Sequence, residues 1–273
     1  MHAIALTLML ALAAPAPTPG PTLATEDTMR TEVSPVLVSA PRVTLDEILD
    51  RVAAGEARRD SAMHDQVCTA ALRVYRQGHG GQMQLLEEGV WRVYKQRPDR
   101  VRSVPLRHQL GPGVKDEDME ADFTPDMGER IVDFAFQPSA RRDFRYRIVG
   151  RDLVGGHVVY RIAFEPRTAL DDVRPRGVVW IDTNEFVIVR EEFWYRGVSP
   201  APLVFKSLDN CVVERSLVDG HHWGISRLLA RASFTFSVAG IPPQGDLVMT
   251  FLNYRVNRGI DPAVFAPNPG GKR

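Results

Sequence analysis

Residues 144–165 read Phe144-Arg145-Tyr146-Arg147-Ile148-Val149-Gly150-Arg151-Asp152-Leu153-Val154-Gly155-Gly156-His157-Val158-Val159-Tyr160-Arg161-Ile162-Ala163-Phe164-Glu165. Phe144, Tyr146 and Ile148 alternate with Arg145 and Arg147, and past Gly155-Gly156 the residues Val158, Tyr160, Ile162 and Phe164 alternate with His157, Arg161 and Glu165. A period of two around a Gly-Gly pair predicts a β-hairpin with one dry and one wet face. The same period governs Leu228, Ala230, Ala232, Phe234, Phe236 and Val238, which alternate with Arg227, Arg231, Ser233, Thr235 and Ser237.

Working outward, further strands are expected over 67–75, 83–94, 100–104, 131–136, 178–182, 186–195, 204–217 and 247–256, with turns at Asp182-Thr183-Asn184-Glu185 and Asp219-Gly220. Residues 108–129, with Gly111-Pro112-Gly113 and an acidic cluster, read as a loop insertion. Ahead of the strands, Thr44-Leu45-Asp46-Glu47 is a capping box, and Leu45, Ile48, Leu49, Val52 and Ala53 recur at helical spacing. One amphipathic helix therefore starts a mainly β (α+β) chain. About ten strands on short turns predict a single strongly curved antiparallel sheet, an unclosed β-barrel whose hollow the helix caps.

The first residues, from Ala3 to Ala14, form an uncharged apolar run followed by small residues and prolines. That is the layout of a secretory signal, and a run of about a dozen residues falls short of the ~20 that span a bilayer. The expected organisation is a signal peptide over 1–24, a Pro-rich lead-in over 25–42, one domain over 43–266 and a tail over 267–273. The mature protein is expected to be exported and not integral to a membrane. Its 34 Lys plus Arg balance 34 Asp plus Glu, so nucleic acid is not an expected partner. Cys68 and Cys211 either close a very long loop as a disulfide, which an oxidising compartment permits, or remain two separate buried thiols.

Motifs for chemistry are sparse. Asp116, Asp118 and Glu120 alternate as calcium ligands do, but Ala121 and Met127 stand where a loop of that kind needs Gly and a bidentate Glu. The adjacent His221 and His222 would point to opposite faces of a strand, so no metal is expected there. A Gly-x-Ser-x-Gly elbow, a phosphate-cradling loop and a dinucleotide fingerprint in its strand-to-helix setting are all missing, which predicts no enzyme and no cofactor.

Two stretches carry a family resemblance. Trp91-Arg92-Val93-Tyr94-Lys95-Gln96-Arg97-Pro98-Asp99-Arg100-Val101-Arg102 and the closing Phe251-Leu252-Asn253-Tyr254-Arg255-Val256-Asn257-Arg258-Gly259-Ile260-Asp261-Pro262-Ala263-Val264-Phe265 resemble LolA-like periplasmic carriers of outer-membrane lipoproteins. Ser103 departs from the aromatic residue common in those carriers, and the acidic loop is an addition to their pattern. The resemblance implies a periplasmic binding protein that holds acyl chains of a lipid or lipidated protein, with a membrane-bound donor or acceptor protein as a further partner. Trp91, Phe144, Tyr146, Ile148, Tyr160, Ile162, Phe164, Phe234 and Phe236 would line its hollow, and Arg97, Pro98 and Arg102 would form a turn with cations at the rim. A second reading keeps the scaffold but makes it an envelope-stress sensor or structural interaction module, and an envelope hydrolase is a more distant third.

Overall fold

The computed structural model describes residues 43–77, 82–113, 134–168, 171, 174–195, 205–234 and 244–266. These all fall in one compact unit, residues 42–273. The expected signal peptide, lead-in, tail and most of the acidic loop lie outside the described residues.

Helix α1 (Leu45–Ala62) begins at Thr44, whose hydroxyl accepts from the Glu47 amide at 3.3 Å. Glu47 turns its carboxylate to Arg51 one turn on, which makes an exposed i,i+4 ion pair. The helix buries a narrow stripe of Ile48, Leu49, Val52 and Gly55. Gly55 is required there: an added Cβ would lie 2.3 Å from the Phe186 carbonyl oxygen, so the helix backbone rests directly on a sheet turn.

The strands are β1 (Asp65–Gln77), β2 (Met83–Gln96), β3 (Arg100–Leu110), β4 (Phe144–Val154), β5 (His157–Pro166), β6 (Arg176–Asp182), β7 (Ile188–Trp194), β8 (Phe205–Leu217), β9 (Trp223–Phe234) and β10 (Gln244–Val256). They form one ten-stranded sheet in the order β3-β2-β1-β10-β9-β8-β7-β6-β5-β4, with every pair antiparallel and with β3 and β4 as free edges. The sheet is not closed into a barrel. The hairpin read first in the sequence is β4–β5, and Gly155 and Gly156 turn it with φ of 57° and 85°, the left-handed pair that a two-residue hairpin turn needs.

Side-chain anchoring requires the sheet to curl. Laid flat, ten strands would span about 43 Å at 4.8 Å per strand. Yet Asp50 of α1 pairs with Arg141, just before β4, while Asp60 of the same helix pairs with Arg97 in the β2–β3 turn at 3.1 Å. Ten helical residues advance only about 15 Å. Even with two extended arginines added, that length reaches both flanks only if they bend toward each other. The concave side holds the main core, which gathers α1 and residues from all strands except the edge β3. A small second core of Val159, Val187, Val189 and Trp223 sits on the opposite face, against Val154, Trp180 and Leu217.

Two expectations need correction. The strand expected over 131–136 is a 3-10 turn at Phe134–Phe136, with 131–133 outside the described residues. Phe134 and Phe136 imitate a strand period, but Phe136 is used as a plug against Tyr146 and Phe164. Strand β3 runs to Leu110, not Val104, so the loop begins after it. Pro105 is tolerated because β3 is an edge strand and Pro105 borders a bulge in β3 itself, where Leu106 is the extra residue opposite Val90 and Trp91. Of the two readings left open for Cys68 and Cys211, the structure has the separate one: both are free, buried thiols, on β1 and β8, with β10 and β9 between those strands. That separation is about 14 Å along the sheet, far beyond disulfide reach.

Candidate functional site

The concave face is built by alternation. Cross-strand pairing places Phe144 beside Pro166, Tyr146 beside Phe164 and Ile148 beside Ile162, so the expected hollow residues of β4 and β5 do share one face. Phe144 and Ile162 are 1% and 0% exposed, and Tyr160 and Phe164 are also buried. Phe136 packs on Tyr146 and Phe164 with ring centroids 5.4 and 5.5 Å away, and Phe144 and Phe164 meet edge-on at 6.0 Å. The Tyr146 hydroxyl donates to the Ala135 carbonyl and fastens the 3-10 turn over this cluster. Burial pushes the Tyr146 phenol up to about 12.

Trp91 lies on the far side of the same face, opposite Ala70. Its ring covers Gly89, where an added Cβ would come within 2.0 Å of the indole, so β2 can hold this tryptophan flat only with glycine at that position. His108 of β3 stands beside Trp91 and shares a hydrogen bond with the buried Glu87 at 3.0 Å. The side chains of Phe234 and Phe236 lie outside the described residues.

Ile148 differs from its neighbours in being 40% exposed. Beyond it, Leu153 and Val158 pair across the hairpin and belong to the face of Tyr160, yet they are 66% and 48% exposed. The apolar face therefore continues past the helix to solvent along one hairpin. Val158 carried this signal in its alternation with His157. Leu153 escaped notice because the bulge between Ile148 and Gly150 shifts the period of β4.

The rim residues act as fasteners. Arg97 donates to the Met63 carbonyl at 3.0 Å and pairs with Asp60, and its own amide donates to His64, so the β2–β3 turn with its cis Arg97–Pro98 bond holds the end of α1. Arg102 reaches the Val264 and Ala266 carbonyls and grips the closing 3-10 turn Pro262–Phe265. Sequence reading missed their companion Asn257. Its side-chain amide accepts from the His64 amide at 2.8 Å and donates to Ala62 at 2.7 Å, which closes the helix end onto the last strand.

Two cavities flank the second half of α1. One of about 250 Å³ is lined by Arg59, Asp60, His64, Arg97, Arg215 and Trp223 among others, and one of about 270 Å³ by Gly55, Arg58, Glu185, His221 and His222 among others. Both are too polar to favour an acyl chain. Burial raises the Cys68 thiol to about 11 against a lowering from Lys95, and burial followed by the nearby Glu191 raises Cys211. Both thiols stay protonated at neutral pH, so neither is an activated nucleophile. Among the described residues no three His, Cys, Asp or Glu side chains group as metal ligands, and no helix is long and apolar enough to cross a membrane.

No protein family matches the sequence, and no curated protein does. Solved structures similar to the chain include a DUF1329 family protein from Desulfovibrio piger, at 13% identity over 81% of this chain and 96% of that one, TM-score 0.43. A LolA superfamily protein from Nitrosomonas europaea aligns at 11% identity over 82% and 98%, TM-score 0.31, and the Mycobacterium tuberculosis lipoprotein LppX at 8% over 80% and 99%, TM-score 0.26. One helix laid across an unclosed antiparallel sheet is the architecture that the resemblance implied. The fold is LolA-like. That description refers to the architecture alone, an unclosed ten-stranded antiparallel sheet with one N-terminal helix; such identities and TM-scores carry no argument.

Proposed function

We propose that this LolA-like chain is an exported, periplasmic, non-catalytic carrier that takes acyl chains of a lipid or lipidated protein between the concave face of the sheet and α1. The observation that carries the reading is a single apolar face that runs from the interior out to Ile148, Leu153 and Val158, under a cap fastened largely by polar contacts. Glu56 accepts from the Ile188 amide, Arg58 donates to the Glu185 carbonyl, Asp50 pairs with Arg141 and Asp60 with Arg97. Against these the helix buries only three aliphatic side chains, each worth about 1.5–3 kcal/mol. Lifting it exposes about 5–9 kcal/mol of apolar contact, while a palmitoyl chain gains roughly 0.8 kcal/mol per buried methylene, about 12 kcal/mol in all. With the polar contacts added the two are of the same order, so a bound acyl chain offsets what lifting the cap gives up.

A fluorescent palmitoyl probe tests this. Saturable binding with a rise in Tm that grows with probe concentration is expected. Absence of both would leave the second reading, an interaction module filled by its own side chains, which the depth of burial at Phe144 and Ile162 favours.

A further inference from the structure

Nine large apolar side chains are prominently exposed among the described residues, and four of them, Ile148, Val149, Leu153 and Val158, lie on the β4–β5 hairpin. That concentration sets the hairpin apart from the rest of the surface. Its exposed charges are mainly of one sign: β4 carries Arg145, Arg147 and Arg151 against Asp152, whose carboxylate is engaged by the Leu153 amide at 2.9 Å. Across the ladder Glu165 stands opposite Arg145. Among the described residues Arg145 and Arg147 have no ion-pair partner, and Arg151 lies over the Tyr160 ring at 5.1 Å. An added Cβ at Gly150, Gly155 or Gly156 would meet nothing within 4 Å, so the turn and the bulge stand clear of neighbouring elements.

We propose that this hairpin docks the protein on an anionic bilayer surface, with Leu153 and Val158 entering the boundary between headgroups and acyl chains, Arg151 on the same face meeting lipid phosphates, and Arg145 and Arg147 on the other face of the edge strand adding longer-range attraction. Charge complementarity selects the partner, because exposed apolar side chains flanked by arginines are the composition that holds a surface segment on anionic lipid. A partner strand adding to β4 is disfavoured by the bulge between Ile148 and Gly150 and by the arginines along this edge, both of which oppose edge pairing. A peptide would need a groove, and none of the described cavities is lined by these residues. The docking goes beyond the carrier reading and holds whether or not the interior takes an acyl chain.

The test is co-sedimentation of the full chain with vesicles of phosphatidylglycerol and phosphatidylcholine, and with phosphatidylcholine alone. Binding to the anionic vesicles that falls with added salt is expected. Arg151→Gln should weaken it about fivefold at low salt, and adding Arg145→Gln and Arg147→Gln should weaken it further. The pair Leu153→Ser and Val158→Ser should weaken it tenfold or more. Met83→Ser, at another exposed apolar position, should leave it unchanged. All these positions are exposed, and an unchanged Tm verifies that each variant folds. The apolar leader is the same in every variant, so binding through it leaves the series flat, which overturns the proposal. Failure to bind anionic vesicles, equal binding to neutral ones, or hairpin-dependent self-association without vesicles overturns it as well.

Discussion

Asn257 holds a φ of 54° while its amide serves both the His64 and Ala62 backbones. Alanine there loses the hydrogen bonds and keeps the left-handed strain, so Asn257→Ala should lower the unfolding free energy by about 1–3 kcal/mol in a urea titration. Asn257→Gly, free of the strain, should cost less. The sequence showed this asparagine only as part of a resembling tail, because its partners are nearly 200 residues away in the chain. The cysteines make a separate prediction. Burial keeps both thiols protonated and covered, so iodoacetamide should label neither in the native protein and both after unfolding, without any reductant. Labelling that requires a reductant would indicate the disulfide that the strand order forbids.

Among the elements, α1 is the one whose attachment matters most. Ile48 is fully buried on its apolar stripe, and Ile48→Ala should cost about 2–4 kcal/mol by chemical denaturation. If the helix is a cap that lifts, the same variant should take up a palmitoyl probe more readily, because less apolar contact is given up. Unchanged or weaker uptake with the expected loss of stability would argue for a helix that never leaves the sheet. The helix start, the β4–β5 hairpin and the approximate number of strands were legible because capping residues and the period of two are local signals. What local signals could not convey was pairing context. Phe134 and Phe136 have the spacing of a strand but no strand partner, so they form a 3-10 turn. Pro105 reads as a strand end, yet an edge position lets β3 pass through it.

At the scale of the whole molecule, curvature gathers residues from distant strands onto one concave face and leaves one hairpin carrying that face into solvent. The sequence identified most of the face by alternation, from Phe144 and Tyr146 to Tyr160, Ile162 and Phe164. It could not tell a lined hollow from a closed core, since both ask for the same apolar residues at the same period. Phe144, Tyr160, Ile162 and Phe164 are buried and Tyr146 half-buried, whereas Ile148 is exposed. A carrier on this fold must therefore open its interior when an acyl chain binds. Native mass spectrometry of the protein purified from its own cell envelope measures this most directly. A population heavier by the mass of a lipid or lipid-modified peptide, released by organic solvent, is expected. A chain found only at its own mass, or bound to a protein without lipid, would contradict it.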